Sequence, residues 1–157
     1  MKNNIIVVNK NNLEVKHKCE HEPYEYFKYE VPKVSENSKA MVAIYEIPPR
    51  KAGYPYHYHY LNEEVFYIIS GSALLKGHDS ERQVVKGDII VCPPMENGAH
   101  MLLNTSDTEL LTYIEFDISN YPEIIVYPNS DKIGIMQNKD EKLFFDKSSS
   151  VNYYNKE

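Results

Sequence analysis

The sequence predicts an all-β barrel or sandwich, and three observations carry that expectation. Short runs rich in β-branched and aromatic residues recur at even spacing. Turn signals stand between them, namely Ser70-Gly71, Gly77-His78-Asp79, Lys86-Gly87-Asp88 and Asn97-Gly98. No stretch carries the 3.6-residue periodicity of a convincing amphipathic helix. At 157 residues with 42% apolar content, the chain suits one domain, 1–157, around a single core. Fourteen tyrosines, five phenylalanines and no tryptophan favour strands and wettable barrel walls.

Taken in order, residues 5–8 and 13–18 read as short strands broken by Asn-rich turns. Residues 24–31, with Tyr24, Tyr26, Phe27 and Tyr29, suit a strand by their aromatics, although 22–30 also tolerates a short helix. Residues 41–47 alternate as a strand and stop at Pro48-Pro49, which cannot donate ladder hydrogen bonds. Further strands are expected over 56–60, 64–69, 73–76, 83–85, 88–92, 100–104 and 110–116. Residues 124–127 and 132–136 read as peripheral strands, and 148–157 as a loosely held polar tail. The barrel core is expected over about 40–117, with N-terminal strands in 1–39 and a C-terminal extension in 118–157.

Charge and cysteine narrow the function classes. Seventeen basic against 23 acidic residues give a net charge of -6, and no basic cluster interrupts that acidity. This excludes the electrostatic footprint of a nucleic-acid or anionic-membrane binder. Cys19 and Cys92 are far apart and form no Cys-x-x-Cys pair, so two reduced thiols are expected rather than a bridge. The N-terminus carries only four consecutive apolar residues, too few for a signal-peptide core, and no stretch reaches membrane-spanning length. A soluble, cytoplasmic protein is expected.

The stretch Gly53-Tyr54-Pro55-Tyr56-His57-Tyr58-His59-Tyr60 carries the chemistry. Side chains of a strand alternate between faces, so His57 and His59 project from one face and Tyr56, Tyr58 and Tyr60 from the other. Two imidazoles on one face reach a single metal ion, where a lone histidine would read as an ordinary surface residue. Glu64 opens the next apolar run, and His100 follows Asn97-Gly98-Ala99. Three imidazoles and one carboxylate make a borderline ligand set for a divalent transition metal such as Zn, Fe, Mn, Ni or Cu. Glu63 and Glu64 point to opposite faces of a regular strand, and Glu63 is the candidate for a solvated residue or a partner of a histidine nitrogen. Leu102 and Asn104 share the parity of His100 and are candidate pocket wall, Asn104 also being a candidate turn cap. Glu96 reads as a solvated loop carboxylate. Arg50, Lys51, Lys76, Arg82 and His78 read as surface charges near these segments.

These segments resemble the cupins, whose first motif is usually written G-x5-H-x-H-x(3,4)-E-x6-G and whose second is G-x5-P-x-G-x2-H-x3-N. Four residues separate His59 from Glu64, six separate Glu64 from Gly71, five separate Gly87 from Pro93 and three separate His100 from Asn104. Two departures touch turns: Gly53 lies closer to His57 than the pattern asks, and Gly98 lies two residues before His100. The resemblance implies a cupin-type double-stranded β-helix, or jelly-roll, barrel. It also implies metal ligation by His57, His59, Glu64 and His100, a small-molecule ligand in the barrel, and a homodimer. The functions it implies are a metal-dependent enzyme on a small oxygenated molecule, with sugar or sugar-phosphate isomerases or epimerases favoured by the segment Tyr127-Pro128-Asn129-Ser130-Asp131-Lys132. A non-catalytic small-molecule or sugar-binding metal cupin is the alternative, and a dioxygenase or decarboxylase a further one. A proton-transfer residue lining the pocket beside the metal position favours the enzyme, and an all-apolar pocket favours the binder.

Overall fold

The computed structural model describes residues 4–35 and 37–156. Residues 1–3, Glu36 and Glu157, the last residue of the expected tail, lie outside the described residues. The strands are β1 (Val15–His21), β2 (Tyr24–Glu30), β3 (Ala40–Ile47), β4 (Tyr58–His59), β5 (Glu64–Ser70), β6 (Ser72–Lys76) and β7 (Glu81–Val85). They continue as β8 (Ile89–Cys92), β9 (Met101–Asn104), β10 (Leu111–Ile118), β11 (Glu123–Tyr127), β12 (Lys132–Met136) and β13 (Lys142–Asp146). Every pairing between these strands is antiparallel. The chain has the all-β cupin barrel fold.

A six-stranded sheet runs β1-β2-β3-β10-β5-β8, faced by a three-stranded sheet β7-β6-β9 and a four-stranded sheet β13-β12-β11-β4. Alternation sorts their faces. On β10, Leu111, Tyr113, Glu115 and Asp117 turn inward; on β5, Glu64, Phe66 and Ile68 do so. The apolar interior is built from Tyr45, Ile47, Phe66, Ile68, Leu111 and Tyr113 with smaller neighbours such as Ala43 and Ala73. Large rings and alanines interleave, which lets opposing walls approach and fill the space.

The structure differs from the sequence expectations in two places and decides between the two readings of a third. Residues 5–8 form no strand, and Ile5 and Val7 are 95% and 93% exposed. The ambiguous segment around Tyr26 is strand β2, held between β1 and β3 on both edges. The two expected peripheral strands are not peripheral. β11 pairs with β4, the strand that carries His59, and with β12, while β12 pairs with an additional strand, β13. Among the described residues no helix is long and apolar enough to cross a membrane.

The turn before His100 is shaped by close approach. A Cβ on Gly98 would fall 1.7 Å from the Pro93 carbonyl oxygen, so only glycine fits there. Met95, two residues after Pro93, stands where the second motif has its second glycine. It adopts φ 71° and ψ -176°, a region essentially reserved for glycine. Asn104 fastens the far end of β9, its side-chain nitrogen donating to the carbonyls of Ile47, Pro48 and Glu109 at 2.9–3.1 Å. It therefore acts as the turn cap rather than as pocket wall.

The strain at Met95 gives a stability prediction. Met95→Gly removes the unfavourable contact between Cβ and backbone and should stabilise the fold by about 1 kcal/mol. The gain is read as a higher urea midpoint at unchanged slope. A midpoint equal to or below the parent's would show that the Met95 side chain contributes more than its backbone costs.

Candidate metal centre

The backbone assembles the site before any side chain acts. The His57 amide donates to the His100 carbonyl at 3.2 Å, and the His100 amide donates to the His57 carbonyl at 2.9 Å. Residues that exchange both bonds across an antiparallel pair send their side chains to the same face. The two rings accordingly lie 4.8 Å apart. His59 sits on β4 opposite Ile125 of β11, and its carbonyl accepts the Met95 amide at 2.6 Å.

The four-residue link from His59 to Glu64 is held from below. The buried Glu123 carboxylate accepts the amides of Tyr60 at 2.9 Å and Leu61 at 3.2 Å. The Asn62 side-chain oxygen accepts the Asn120 amide at 2.9 Å. This pinning sets the phase of β5, so that Glu64 is buried and Glu63 is exposed.

Around Glu64 the distances are short. Its carboxylate lies 3.9 Å from His57 Nε2, 3.6 Å from His59 Nε2 and 3.2 Å from His100 Nε2. One ligand atom each from His57, His59 and Glu64 lie within 4.8 Å of one another, and His100 joins them through Glu64. The Nδ1 atoms of His57 and His100 are each 2.8 Å from a backbone carbonyl, those of Pro55 and Gly98. A carbonyl only accepts, so both Nδ1 atoms carry the proton and both Nε2 atoms offer a lone pair toward Glu64. Lone pairs facing carboxylate oxygens repel unless a proton or a cation lies between them.

The donor set fits a divalent ion. Neutral imidazoles and a carboxylate are the ligands that borderline metals take, and backbone carbonyls hold the ligating rings in one orientation. Two ligands about 2.1 Å from an ion lie at most about 4.2 Å apart, so the trio needs only a small inward rotation.

Burial sets the electrostatics. It pushes the His57 and His100 imidazoles below their usual range and His59 to about 4, with the neighbouring rings adding to the shift at His57 and His59. The same desolvation raises Glu64 to about 8, with Asp117 contributing a like charge. Glu115 is raised to about 8 by burial and by Glu64, and Asp117 to about 7 by burial and by Glu115. The sheet register explains this row of acids, because Asp117 is paired with Glu64 and Glu115 with Phe66. Glu115 Oε2 and Asp117 Oδ1 are buried without a hydrogen-bond partner.

Glu115 and Asp117 were not singled out by sequence reasoning, and Tyr127 entered it only as part of the segment 127–132, not as a site residue. A signal for the acids exists: Glu115 and Asp117 continue the inward parity of Leu111 and Tyr113. Nothing local signals the place of Tyr127 beside His57, since β11 reaches the site only by pairing with β4; there its ring stacks on His57 at 5.8 Å. Tyr56 packs under Lys76 on the opposite side, and Tyr58 stacks on Tyr60.

A cavity opens beside the cluster. His57, Glu64, His100 and Glu115 form its polar wall with Tyr54 and Tyr113, and Phe66 and Leu102 contribute apolar wall. Its free space is about 20 Å³, room for one or two waters. None of the cations near the motifs reaches it. Arg50 pairs with Asp107 at 2.6 Å, Lys51 with Glu22 at 2.5 Å and His78 with Asp79 at 3.4 Å, while Arg82 and the loop carboxylate Glu96 are exposed.

Residues 43–115 match the family described as Cupin domain. No curated protein matches the chain. Among solved structures, a cupin-superfamily sugar phosphate isomerase from Silicibacter pomeroyi superposes with a TM-score of 0.80 at 16% identity, covering 96% of this chain and 98% of that one. A protein of Acidithiobacillus ferrooxidans named as a candidate sugar phosphate isomerase gives 0.78 at 21% identity, covering 90% of each chain. A predicted oxalate decarboxylase from Thermotoga maritima gives 0.62 at 19% identity, covering 73% of this chain and all 100% of that one. At these identities the likeness is one of fold.

The buried acids predict an unusual pH response. Glu64, Glu115 and Asp117 hold protons more tightly folded than unfolded, so their contribution to stability falls as pH rises from about 4 to about 8. The lowered imidazoles act oppositely, but only below their usual 6.5. The metal-free protein should therefore lose stability between about pH 6.5 and 8. Saturating Zn²⁺ should flatten or reverse that slope, because a bound cation favours the ionised carboxylate. Glu64→Gln should reduce the metal-free slope and remove the zinc effect. Urea denaturation at constant ionic strength checks this, and a metal-free stability that holds or rises over that range contradicts it.

Proposed function

The chain is a small protein of the cupin superfamily, and on that premise we propose that it is a metal-dependent enzyme acting on a small oxygenated molecule. One observation carries this reading over that of a passive binder: Glu115, a buried carboxyl with a free oxygen, lines the same cavity as His57, Glu64 and His100. A binder needs no such group, whereas proton transfer does. His57, His59, Glu64 and His100 would hold a divalent transition ion, Zn, Fe, Mn or Ni. That ion, when bound, supplies Lewis-acid polarisation of a substrate carbonyl.

The chain's own groups do the rest. Tyr54 and Tyr113 line the cavity and orient a ligand, and Phe66 and Leu102 exclude water from it. Glu115 takes a proton from the hydroxyl-bearing carbon beside the carbonyl and returns it to the carbonyl carbon, while the hydroxyl proton passes to the former carbonyl oxygen, an isomerisation in which no atom is gained or lost. A sugar isomerase or epimerase is the form of the reaction that this arrangement suits. The two superposing structures named for sugar phosphate isomerisation support it at the level of fold.

Two further proposals concern setting and assembly. Both cysteines are free, which suits a reducing, cytoplasmic environment. Tyr67, Ile69, Ile89, Val91, Phe116 and Ile118 lie on the outward face of β5, β8 and β10, 37–68% exposed. So broad an apolar face suits a homodimer. A single 18.3 kDa species in light scattering at micromolar concentration would remove the dimer.

The activity is tested by solvent deuterium exchange into dihydroxyacetone and D-fructose, followed by NMR on the metal-loaded protein. Glu115→Gln should retain metal and lower exchange by about 100-fold or more. His59→Ala should lose both metal and exchange, and Tyr58→Phe neither. Exchange that survives unchanged in metal-free His59→Ala would refute the metalloenzyme. Exchange unchanged in Glu115→Gln would remove Glu115 as the proton-transfer group.

A further inference from the structure

We infer that Glu123, on the C-terminal extension, is a positioning residue of the candidate metal centre: its buried side chain sets where His59 stands, and affinity for a divalent ion depends on it. This rests on the metal reading above and adds to it a group outside the ligand set.

The three imidazoles are not held alike. His57 and His100 are each fixed twice, by the two amide–carbonyl bonds between them and by Nδ1 atoms 2.8 Å from the carbonyls of Pro55 and Gly98. A ligating ring ordinarily owes its orientation to a hydrogen bond at that second nitrogen. His59 lacks both. Its Nδ1 is buried and, among the described residues, has no hydrogen-bond partner. Its strand, β4, is two residues long. The ring packs edge-on against His57 at 5.3 Å, which limits its tilt without engaging Nδ1. The place of His59 Nε2, 3.6 Å from Glu64, is therefore inherited from the backbone that carries it.

That backbone is fastened at three points. His59 is paired with Ile125, and its carbonyl accepts the Met95 amide at 2.6 Å. The two amides that follow, those of Tyr60 and Leu61, donate to Glu123 Oε1 at 2.9 and 3.2 Å. Only this third fastening is made by a side chain. Glu123 is 1% exposed, and the same oxygen takes the Ile124 amide at 2.8 Å. Three donors satisfy an acceptor whose burial would otherwise be unfavourable, and they tie it to one path of the turn. The dependence is mutual. Tyr60 has a second acceptor in the Ile124 carbonyl at 3.0 Å, but the Leu61 amide meets only Glu123 among the described residues. Without an oxygen at this point the turn must shift to find Leu61 another acceptor. The shift begins two residues from the one imidazole that nothing else orients.

Reach rather than charge is what the role asks. Oε1 meets all three amides, and Oε2 adds only a longer contact to Leu61 at 3.3 Å. Glutamine carries an oxygen equally far from the backbone. Aspartate is one methylene short, and leucine has no acceptor at all.

The test measures Zn²⁺ affinity of the full chain by competition with a chromophoric chelator, and the visible absorption of the Co²⁺-loaded protein as a reporter of the ligand set. Glu123→Leu and Glu123→Asp should each weaken Zn²⁺ binding about 10- to 100-fold and change the Co²⁺ bands, whereas Glu123→Gln should keep the parent's affinity and spectrum. Val84→Ala, a core truncation on β7, is the control: it should lower stability and leave both readings unchanged. Should Glu123→Leu fail to fold, Glu123→Asp decides. Parent-like affinity in the deciding variant overturns the inference, as does a weakened affinity with an unaltered Co²⁺ spectrum. A Glu123→Gln loss as large as that of Glu123→Leu overturns it too, since charge would then be the cause, and so does an equal loss in Val84→Ala. A parent that binds neither ion instead removes the metal reading itself, and this inference with it.

Discussion

Two backbone hydrogen bonds between His57 and His100 hold the site together. They join segments more than forty residues apart and force both imidazoles to one face. The barrel wall around them supplies what these rings need. Carbonyls two residues back take the Nδ1 protons, and Glu64 is delivered opposite the free Nε2 atoms. Without that paired contact the histidines would be surface residues on separate turns.

The second constraint is the cost of burying acid. Three carboxyls stand on two neighbouring strands in a wall otherwise made of tyrosine, phenylalanine, isoleucine and leucine. Burial raises all three above the ordinary carboxyl range, and leucine in their places would pack without that penalty. Positions that work against folding in this way mark where a fold serves something other than its own stability. Here they surround the imidazoles of the candidate metal centre.

The C-terminal extension belongs to this centre rather than to the periphery. β11 supplies the partner for β4, Glu123 fixes the turn that follows His59, and Tyr127 covers His57. A strand of two residues could not hold its register alone. The pairing with β11 converts a turn-like segment into a rigid support for one ligand, and the β12–β13 hairpin backs it from outside.

Much of this was legible in the chain itself. Alternation placed His57 and His59 on one face and the tyrosines on the other, and the spacings from His59 to Glu64 and from His100 to Asn104 marked a barrel with a candidate ligand set. Period-two patterning is a local property, set by the geometry of each strand, and so it survives without knowledge of neighbours. What the chain alone did not carry is which strands lie side by side. The inward parity of Glu115 was visible, but that β10 runs beside β5 and stacks this acid row against Glu64 depends on pairing between distant segments. The same holds for Tyr127, and for residues 5–8, whose strand-like pattern finds no paired edge among the described residues. Long-range pairing is chosen by the collective packing of the core, so the tertiary structure alone decided the surroundings of the candidate ligands that the sequence had already named.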